Sequence, residues 1–274
     1  MNTSFEGRIA FIGGGNMAQA MIGGLLSKDI KTSRMIVSEP VEHLRQTLAK
    51  RGLQVTENNR AAVVEADVVV LAVKPQMMKA VLADLQDVIG GRLVLSIAAG
   101  LTVETLSKML GGYDRIVRVM PNTPALVQTG ASGLYAGAGV SAADRAQAAA
   151  VMGATGLVIW VEDEAHMHAV TAVSGSGPAY FFYWMEAMIR AGQDMGLDEK
   201  TARALTLQTA LGAAQMAITS GEHPAQLRRN VTSPNGTTQA ALDCMNDLSV
   251  DAHVVQALHA AAERSRTLSI ELDC

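Results

Sequence analysis

The run Arg8-Ile9-Ala10-Phe11-Ile12-Gly13-Gly14-Gly15-Asn16-Met17-Ala18 constrains this chain more than any other stretch. A short apolar strand leads into G-x-G-x-x-A and then a helix whose apolar face carries Met17, Met21, Ile22, Leu25 and Leu26. That succession is how a βα turn holds the pyrophosphate of a dinucleotide. Gly13 permits the tight turn, Gly15 lets the backbone approach the phosphates, and the small Ala18 lets helix and strand pack closely. The phosphates are expected at the helix N-terminus near Asn16, where unpaired N–H groups and the dipole favour negative charge. By itself the fingerprint also suits a plain glycine-rich turn. Its context agrees with nucleotide binding, because a second strand, Met35-Ile36-Val37-Ser38, follows about 20 residues on.

Residues 1–165 alternate β-rich and helical runs, the pattern of a doubly wound parallel sheet of Rossmann type, and form the expected dinucleotide-binding domain. The strands read as Arg8–Ile12, Met35–Ser38, Gln54–Thr56, Asp67–Val73, Leu93–Ile97 and Ile116–Met120, with Ser132–Tyr135 and Leu157–Val161 extending the sheet. The fourth and fifth are continuous apolar runs, as strands covered on both faces should be, and belong in the middle. Helices are expected over Val41–Lys50 and Met77–Asp87.

From residue 166 to 274 the β-rich runs stop, and an all-α domain is expected for substrate binding and dimerisation. Tyr180–Gly196 reads as helix, with Pro178 placed to sit in its first turn or to kink a longer one. In Thr201–Ser220, apolar residues cover most of the circumference, so this helix must be buried on more than one side. A domain of about 110 residues completes such burial most readily against a second copy of itself, which predicts a homodimer.

Composition excludes several classes. A net charge of −4, with no basic run, offers no footprint for nucleic acid. No apolar stretch reaches the about 18 residues needed to span a bilayer, and Met1–Glu6 lacks a charged segment followed by an apolar one, so neither membrane nor export is expected. Cys244 and Cys274 form neither a disulfide framework nor a metal pattern, which fits a cytoplasmic protein. The six histidines make no H-x-x-x-H spacing, and no metal is expected. His166 and His168 read as a solvated helix start.

In an open parallel sheet, ligands bind beyond the carboxyl ends of the strands. After the second strand comes Ser38-Glu39-Pro40, where a carboxylate would accept hydrogen bonds from ribose hydroxyls and repel a 2′-phosphate. Glu39 therefore argues for NADH, although it could also be an ordinary acidic turn residue. After the fourth strand come Ala72-Val73-Lys74-Pro75-Gln76, a buried strand ending in a cation, and a proline that stops the pairing. Ser96-Ile97-Ala98-Ala99-Gly100 and Met120-Pro121-Asn122-Thr123-Pro124 bring small residues and X-Pro bonds suited to backbone held near a flat ring. In the helical part, Val173–Tyr180 contains a partial glycine fingerprint without a following strand, and it does not match G-x-S-x-G, so Ser176 is a poor nucleophile. Val231–Thr238 is a turn of Ser, Pro, Asn and Gly leading into the helix Gln239–Met245. Its hydroxyls and N–H groups form a site for a small carboxylate.

With these segments placed, the chain closely resembles the pyrroline-5-carboxylate reductases almost end to end. The likeness rests on Phe11–Met17, Ala72–Gln76, Arg118–Pro124, Ser174–Tyr180 and Val231–Thr238, in the family's order and spacing. It implies reduction of a cyclic imino acid, 1-pyrroline-5-carboxylate, to L-proline by NADH or NADPH, in a homodimer often assembled further into a decamer, a pentamer of dimers. It also implies that Ser233, Gly236, Thr237 and Thr238 grip the substrate, with Thr238 near the ring nitrogen as the catalytic hydrogen-bond donor, and that Ser176 lines the cavity where nicotinamide and substrate meet. The cofactor-binding positions it implies are Gly13, Gly15, Asn16, Met17, Glu39, Asn59, Ala72, Val73, Lys74, Pro75, Ala98, Ala99 and Gly100. Two positions depart from the family: Asn235 stands where glycine is usual, and Glu39 replaces the small or basic residues of many NADPH users.

Two other readings remain at this point. A 3-hydroxyacid-type dehydrogenase also joins a nucleotide domain to a helical one, but it needs a lysine in the helical domain, and Ala179–Arg190 has none. A non-catalytic NAD(P)H-binding protein would be marked by a degraded substrate loop, whereas Ser233–Thr238 is intact.

Overall fold

Residue alternation within the strands accounts for the sheet and the layers on its two faces. In the computed structural model, which describes residues 7–273, the strands are β1 (Ile9–Ile12), β2 (Met35–Ser38), β3 (Gln54–Thr56), β4 (Val68–Leu71), β5 (Leu93–Ser96), β6 (Ile116–Met120), β7 (Gly130–Ala136) and β8 (Gly156–Trp160). Met1–Glu6 and Cys274, with the expectations placed on them, lie outside the described residues. The strands form one sheet in the order β3-β2-β1-β4-β5-β6-β7-β8. β1 to β6 are mutually parallel, β7 pairs antiparallel to β6, and β8 runs parallel to β7. The two apolar runs expected in the middle do lie there, as β4 and β5.

Ile9, Phe11, Val68, Val70, Leu93 and Leu95 point into one core layer, and Ala10, Ile12, Val69, Leu71 and Val94 into the other. With a side-chain period of two, only apolar residues at every position can satisfy both layers, which is why these strands are unbroken apolar runs. The first layer is closed by α1 (Asn16–Ser27) through Met21, Ile22 and Leu25, and by Leu48 of α2 (Glu42–Lys50). The second is closed by Ala62 and Val63 of α3 (Asn59–Val64), Met78 and Leu82 of α4 (Pro75–Leu85), and Leu106 of α5 (Val103–Met109). The helix expected from Met77 begins two residues earlier, because Pro75 takes its first position, where a missing N–H costs nothing.

The next helix, α6 (Ala142–Gly153), opens with a reciprocal capping box: the Ser141 hydroxyl accepts from the Asp144 N–H and the Asp144 carboxylate accepts from the Ser141 N–H. Asp144 is buried and also receives Arg115 in a bidentate pair, at 2.5 Å (Nη2) and 3.1 Å (Nε). The Arg115 guanidinium, followed by the Ser141 donors, draws its carboxyl down to about 2. Because the folded-state value lies below the ordinary 3.8, the stabilisation is complete above that range and is lost as pH falls towards about 2. The drop amounts to about 2 kcal/mol. Asp144→Asn is therefore expected to flatten the acid limb of stability by about that amount, read as the difference in unfolding free energy between about pH 5 and about pH 2. An unchanged acid limb would contradict it.

After β8 the chain enters α7 (His166–Val170), a π-helical turn (Thr171–Gly175), and then α8 (Gly177–Asp194), with Pro178 in the first turn of α8. α9 (Glu199–Ser220), α10 (Pro224–Asn230), α11 (Thr237–Asp247) and α12 (Val250–Glu271) follow. Among the described residues no helix is long and apolar enough to cross a membrane.

The chain divides into two compact units, one running up to Ser176 and resuming at Ala261, the other spanning Gly177–Ala260. This differs from the boundary expected at 165/166, which followed the change in composition. Packing continues past it: Val170 lies so close over Gly133 that a Cβ there would fall 2.4 Å from it, and Gly175 is equally close to Met120. The end of α12 belongs with the first unit too, through Leu268 and Leu272 against Gly100 and the Thr105 hydroxyl on the Asp273 carboxylate. His168, expected to be solvated, is half-buried there with Nδ1 3.0 Å from the Ser265 hydroxyl. Burial, and then the Arg118 and Arg266 charges, hold it below the usual histidine range.

The second unit has almost no core of its own. Only Gly177, Gly192, Ala202 and Thr206 are buried within it, with Gly192 of α8 packed against Ala202 of α9. Phe181, Phe182, Leu205, Leu211 and Ile218 remain exposed.

Candidate active site

The glycine turn after β1 is shaped by forces that only its context reveals. Gly13 has φ +100°, and a Cβ on it would fall 2.8 Å from the Ala72 carbonyl oxygen, so both conformation and space demand glycine. At Gly15 a Cβ would meet nothing within 4 Å, which leaves an open approach to the backbone. No side chain caps α1, and its first internal bond is from the Gln19 N–H to the Gly15 carbonyl at 3.0 Å. The N–H groups of Asn16, Met17 and Ala18 are thus left without backbone partners, the arrangement a pyrophosphate satisfies. The residues present fit a dinucleotide.

Gly14 was not singled out from the sequence, although it is the middle of three consecutive glycines. A Cβ on it would fall 2.7 Å from Leu48 and 3.3 Å from Glu39 Oε2. Its N–H donates to Glu39 Oε2 at 2.8 Å, while the Val41 N–H donates to Glu39 Oε1 at 2.9 Å. Glu39 is only 6% exposed. Both of its oxygens are therefore engaged in bracing the glycine turn against the end of β2. Beside it the Ser38 hydroxyl donates to Asn59 Oδ1 at 2.7 Å, which brings Asn59, at the start of α3, to the same strand end.

Ala72 and Val73 follow β4 directly beside Gly13, and the exposed Lys74 precedes Pro75 at the start of α4. Ala98 is buried, and Ala99 leads to Gly100, whose φ of +83° makes the turn that Leu272 covers. Beyond β6, the buried Asn122 donates to the Ser174 carbonyl at 3.0 Å and accepts from the Ala131 N–H at 2.8 Å. That pins the π-turn, closed by the Ser176 N–H to the Thr171 carbonyl at 2.8 Å, against the sheet's carboxyl edge. Ser176 follows this turn directly. Such π-turns inside helices recur at functional sites because they widen the backbone locally. Deeper, the buried Arg118 pairs with Glu164 at 2.9 Å, and the same oxygen accepts the Val103 N–H at 2.8 Å.

The second unit holds the other expected group. Asn235 adopts φ +60°, the left-handed conformation that asparagine tolerates better than most residues, so the turn forms without a glycine at this position. The Gly236 N–H then donates to the Ser233 carbonyl at 3.0 Å, and Thr237 opens α11 with no side-chain cap. The first helical bond is from the Ala240 N–H to the Gly236 carbonyl, leaving the N–H groups of Thr237, Thr238 and Gln239 without backbone partners. Ser233, Thr237 and Thr238 are exposed.

The chain is similar to known proteins along almost its whole length. The family model for pyrroline-5-carboxylate reductase dimerisation covers residues 164–268, and that for NADP oxidoreductase, coenzyme F420-dependent, covers residues 8–100. A pyrroline-5-carboxylate reductase of Pseudomonas aeruginosa is 52% identical over 97% of this chain and 98% of its own. The solved pyrroline-5-carboxylate reductase of Coxiella burnetii is 42% identical, with a TM-score of 0.92 over 96% of this chain and 98% of that one. The Plasmodium falciparum pyrroline carboxylate reductase, solved with NADP bound, is 30% identical with a TM-score of 0.87 over 97% of this chain and 99% of that one.

Proposed function

The chain belongs to the pyrroline-5-carboxylate reductase family, and from that premise we propose that it reduces 1-pyrroline-5-carboxylate to L-proline with NADH or NADPH, the last step of proline biosynthesis. The observation that carries the reading is the uncapped start of α11 behind the Ser233–Gly236 turn, a receptor for a small carboxylate within a chain that also holds a complete dinucleotide turn.

A bound dinucleotide would supply a hydride. Gly13, Gly15 and the N–H groups of Asn16 and Met17 would hold its pyrophosphate, with Asn59, Ala72 to Pro75 and Ala98 to Gly100 as its other contacts at the strand ends. The N–H groups of Thr237 and Thr238, with the Ser233 hydroxyl and the turn at Gly236, anchor the substrate carboxylate. An imine that arrives protonated keeps that proton on nitrogen while its carbon accepts the hydride, so no strong acid is required of the protein. Orientation then supplies much of the rate, about 7 kcal/mol or more where a near-attack geometry is held. Thr238 orients the nitrogen through a hydrogen bond. Thr238→Ala is expected to lower kcat about ten-fold and leave measurable activity. Complete loss with cofactor binding intact would reveal a genuine proton donor instead.

The test of the reading is to mix the protein with chemically prepared pyrroline-5-carboxylate and follow the nicotinamide absorbance with NADPH and with NADH. Oxidation of either supports it, and oxidation of neither overturns it. The exposed apolar surface of the second unit supports a homodimer, and the family resemblance extends this to a decamer of five dimers. A cytoplasmic location accords with the exposed, unpaired Cys244.

A further inference from the structure

A dinucleotide whose pyrophosphate sits at the glycine turn, with its adenosine at β2, brings its nicotinamide half to the ends of β4, β5 and β6. Two backbone segments stand at those ends. One is the turn Ala98–Gly100 after β5, and the other is the π-turn Thr171–Gly175, held beyond β6 by Asn122 on the Ser174 carbonyl and Met120 against Gly175. A single side chain connects the two. Glu164 stands just before α7, which runs on into the π-turn, and its carbonyl accepts the Met167 N–H at 2.9 Å. Its Oε1 accepts both the Val103 N–H at 2.8 Å and Arg118 Nη1 at 2.9 Å. Val103 is the first residue of α5, three positions after Gly100, and its N–H has no partner within the helix. Arg118 lies in β6, two positions before Met120. The Arg118 side chain is 4% exposed and that of Glu164 22%, so these bonds form largely away from bulk water. A buried ion pair contributes little net stability, because desolvation offsets its attraction. What this one supplies is position.

We propose that Glu164 is a positioning residue for hydride transfer: one carboxylate oxygen ties the Ala98–Gly100 turn, through Val103, to β6 and to the helix that carries the π-turn, and so fixes the spacing in which nicotinamide and imine meet. The inference rests on the reductase reading, which supplies the reaction. Glu164 acts through Val103 rather than on the substrate. Loss of the Val103 bond leaves the glycine turn after β1 and the turn before α11 as they are, so both ligands still bind. What is lost is near-attack alignment, where a displacement of about 1 Å costs up to about a hundred-fold in rate.

Truncating Glu164 alone leaves the Arg118 charge buried without a partner, so the test removes both charges together or the donor alone. Arg118→Met with Glu164→Leu deletes the tie in the first way, and Val103→Pro in the second. Proline fits at the first position of α5, and Thr102 before it, at φ −80° and ψ 160°, already has the extended conformation that proline requires. Single-turnover kinetics at saturating pyrroline-5-carboxylate, with whichever of NADPH and NADH the wild-type protein oxidises, are expected to show hydride transfer slowed about ten- to a hundred-fold in each, while the calorimetric dissociation constant of the nucleotide stays within about two-fold. Arg118→Met with Glu164→Gln restores an acceptor for the Val103 N–H and is expected to regain most of that rate, which general damage to the fold does not allow. Val103→Pro keeps the ion pair and decides the matter alone if a double variant fails to fold. A wild-type transfer rate in Val103→Pro, equal losses with Glu164→Leu and Glu164→Gln, or a loss of nucleotide affinity matching the loss of rate would overturn the inference and leave the reductase reading standing. A wild-type protein that oxidises neither nucleotide overturns both.

Discussion

Thr237→Pro is expected to leave α11 folded while raising KM for pyrroline-5-carboxylate about ten- to a hundred-fold, with kcat little changed. The first position of a helix is the one place where proline fits without loss, because its N–H has no helical partner and its ring presets φ. Gly236, at φ −86° and ψ 173°, already has the extended conformation that a residue before proline requires. The substitution therefore deletes the Thr237 N–H, and with it the Thr237 hydroxyl, from the proposed carboxylate receptor while leaving the helix start unstrained. A hydrogen bond to a charged group contributes about 1.5–3 kcal/mol, which sets the size of the effect. Initial-rate kinetics and circular dichroism check it together. An unchanged KM with a folded helix would place the carboxylate elsewhere.

Leu211→Asp and Ile218→Asp are each expected to convert the dimer to a monomer at micromolar concentration and to abolish activity. Both side chains are largely exposed on α9 in the isolated subunit, at 59% and 83%. A charge placed on a solvated helix face normally changes stability by no more than about 0.5 kcal/mol. A large effect must therefore come from surface covered only in the assembly, where each buried Leu or Ile contributes about 1.5–3 kcal/mol and an unpaired carboxylate is costly. Sedimentation velocity measures this directly. A monomeric wild-type protein, or variants that remain dimeric, would remove the inference.

What was legible in the sequence was what near neighbours decide. The strands β2, β3 and β6 occur at the residues expected, because alternation and flanking turns act within a few positions. Gly13 could be singled out because its conformation is a local property of the βα turn, and Asn235 because left-handed geometry is too. Pro178 in the first turn of α8 was legible, but the π-turn before it was not. Ser-Gly-Ser-Gly-Pro has weak helix propensity, and what holds it helical is distant: Asn122 on Ser174, Met120 against Gly175, and Val170 over Gly133.

The sequence by itself determined a doubly wound nucleotide-binding sheet, an apolar helical region in need of a partner, and a turn opening a helix that suits a carboxylate. These follow from periodicity and from backbone conformations that few residues can adopt. Tertiary structure alone decided which donors reach Glu39, where the Arg45 guanidinium comes to rest, and that the end of α12 returns to the first unit at Gly100 and Thr105. A carboxylate or guanidinium is bound by whatever the fold brings within hydrogen-bond distance, and for Glu39 and Gly14 that means residues 25 positions apart in the chain.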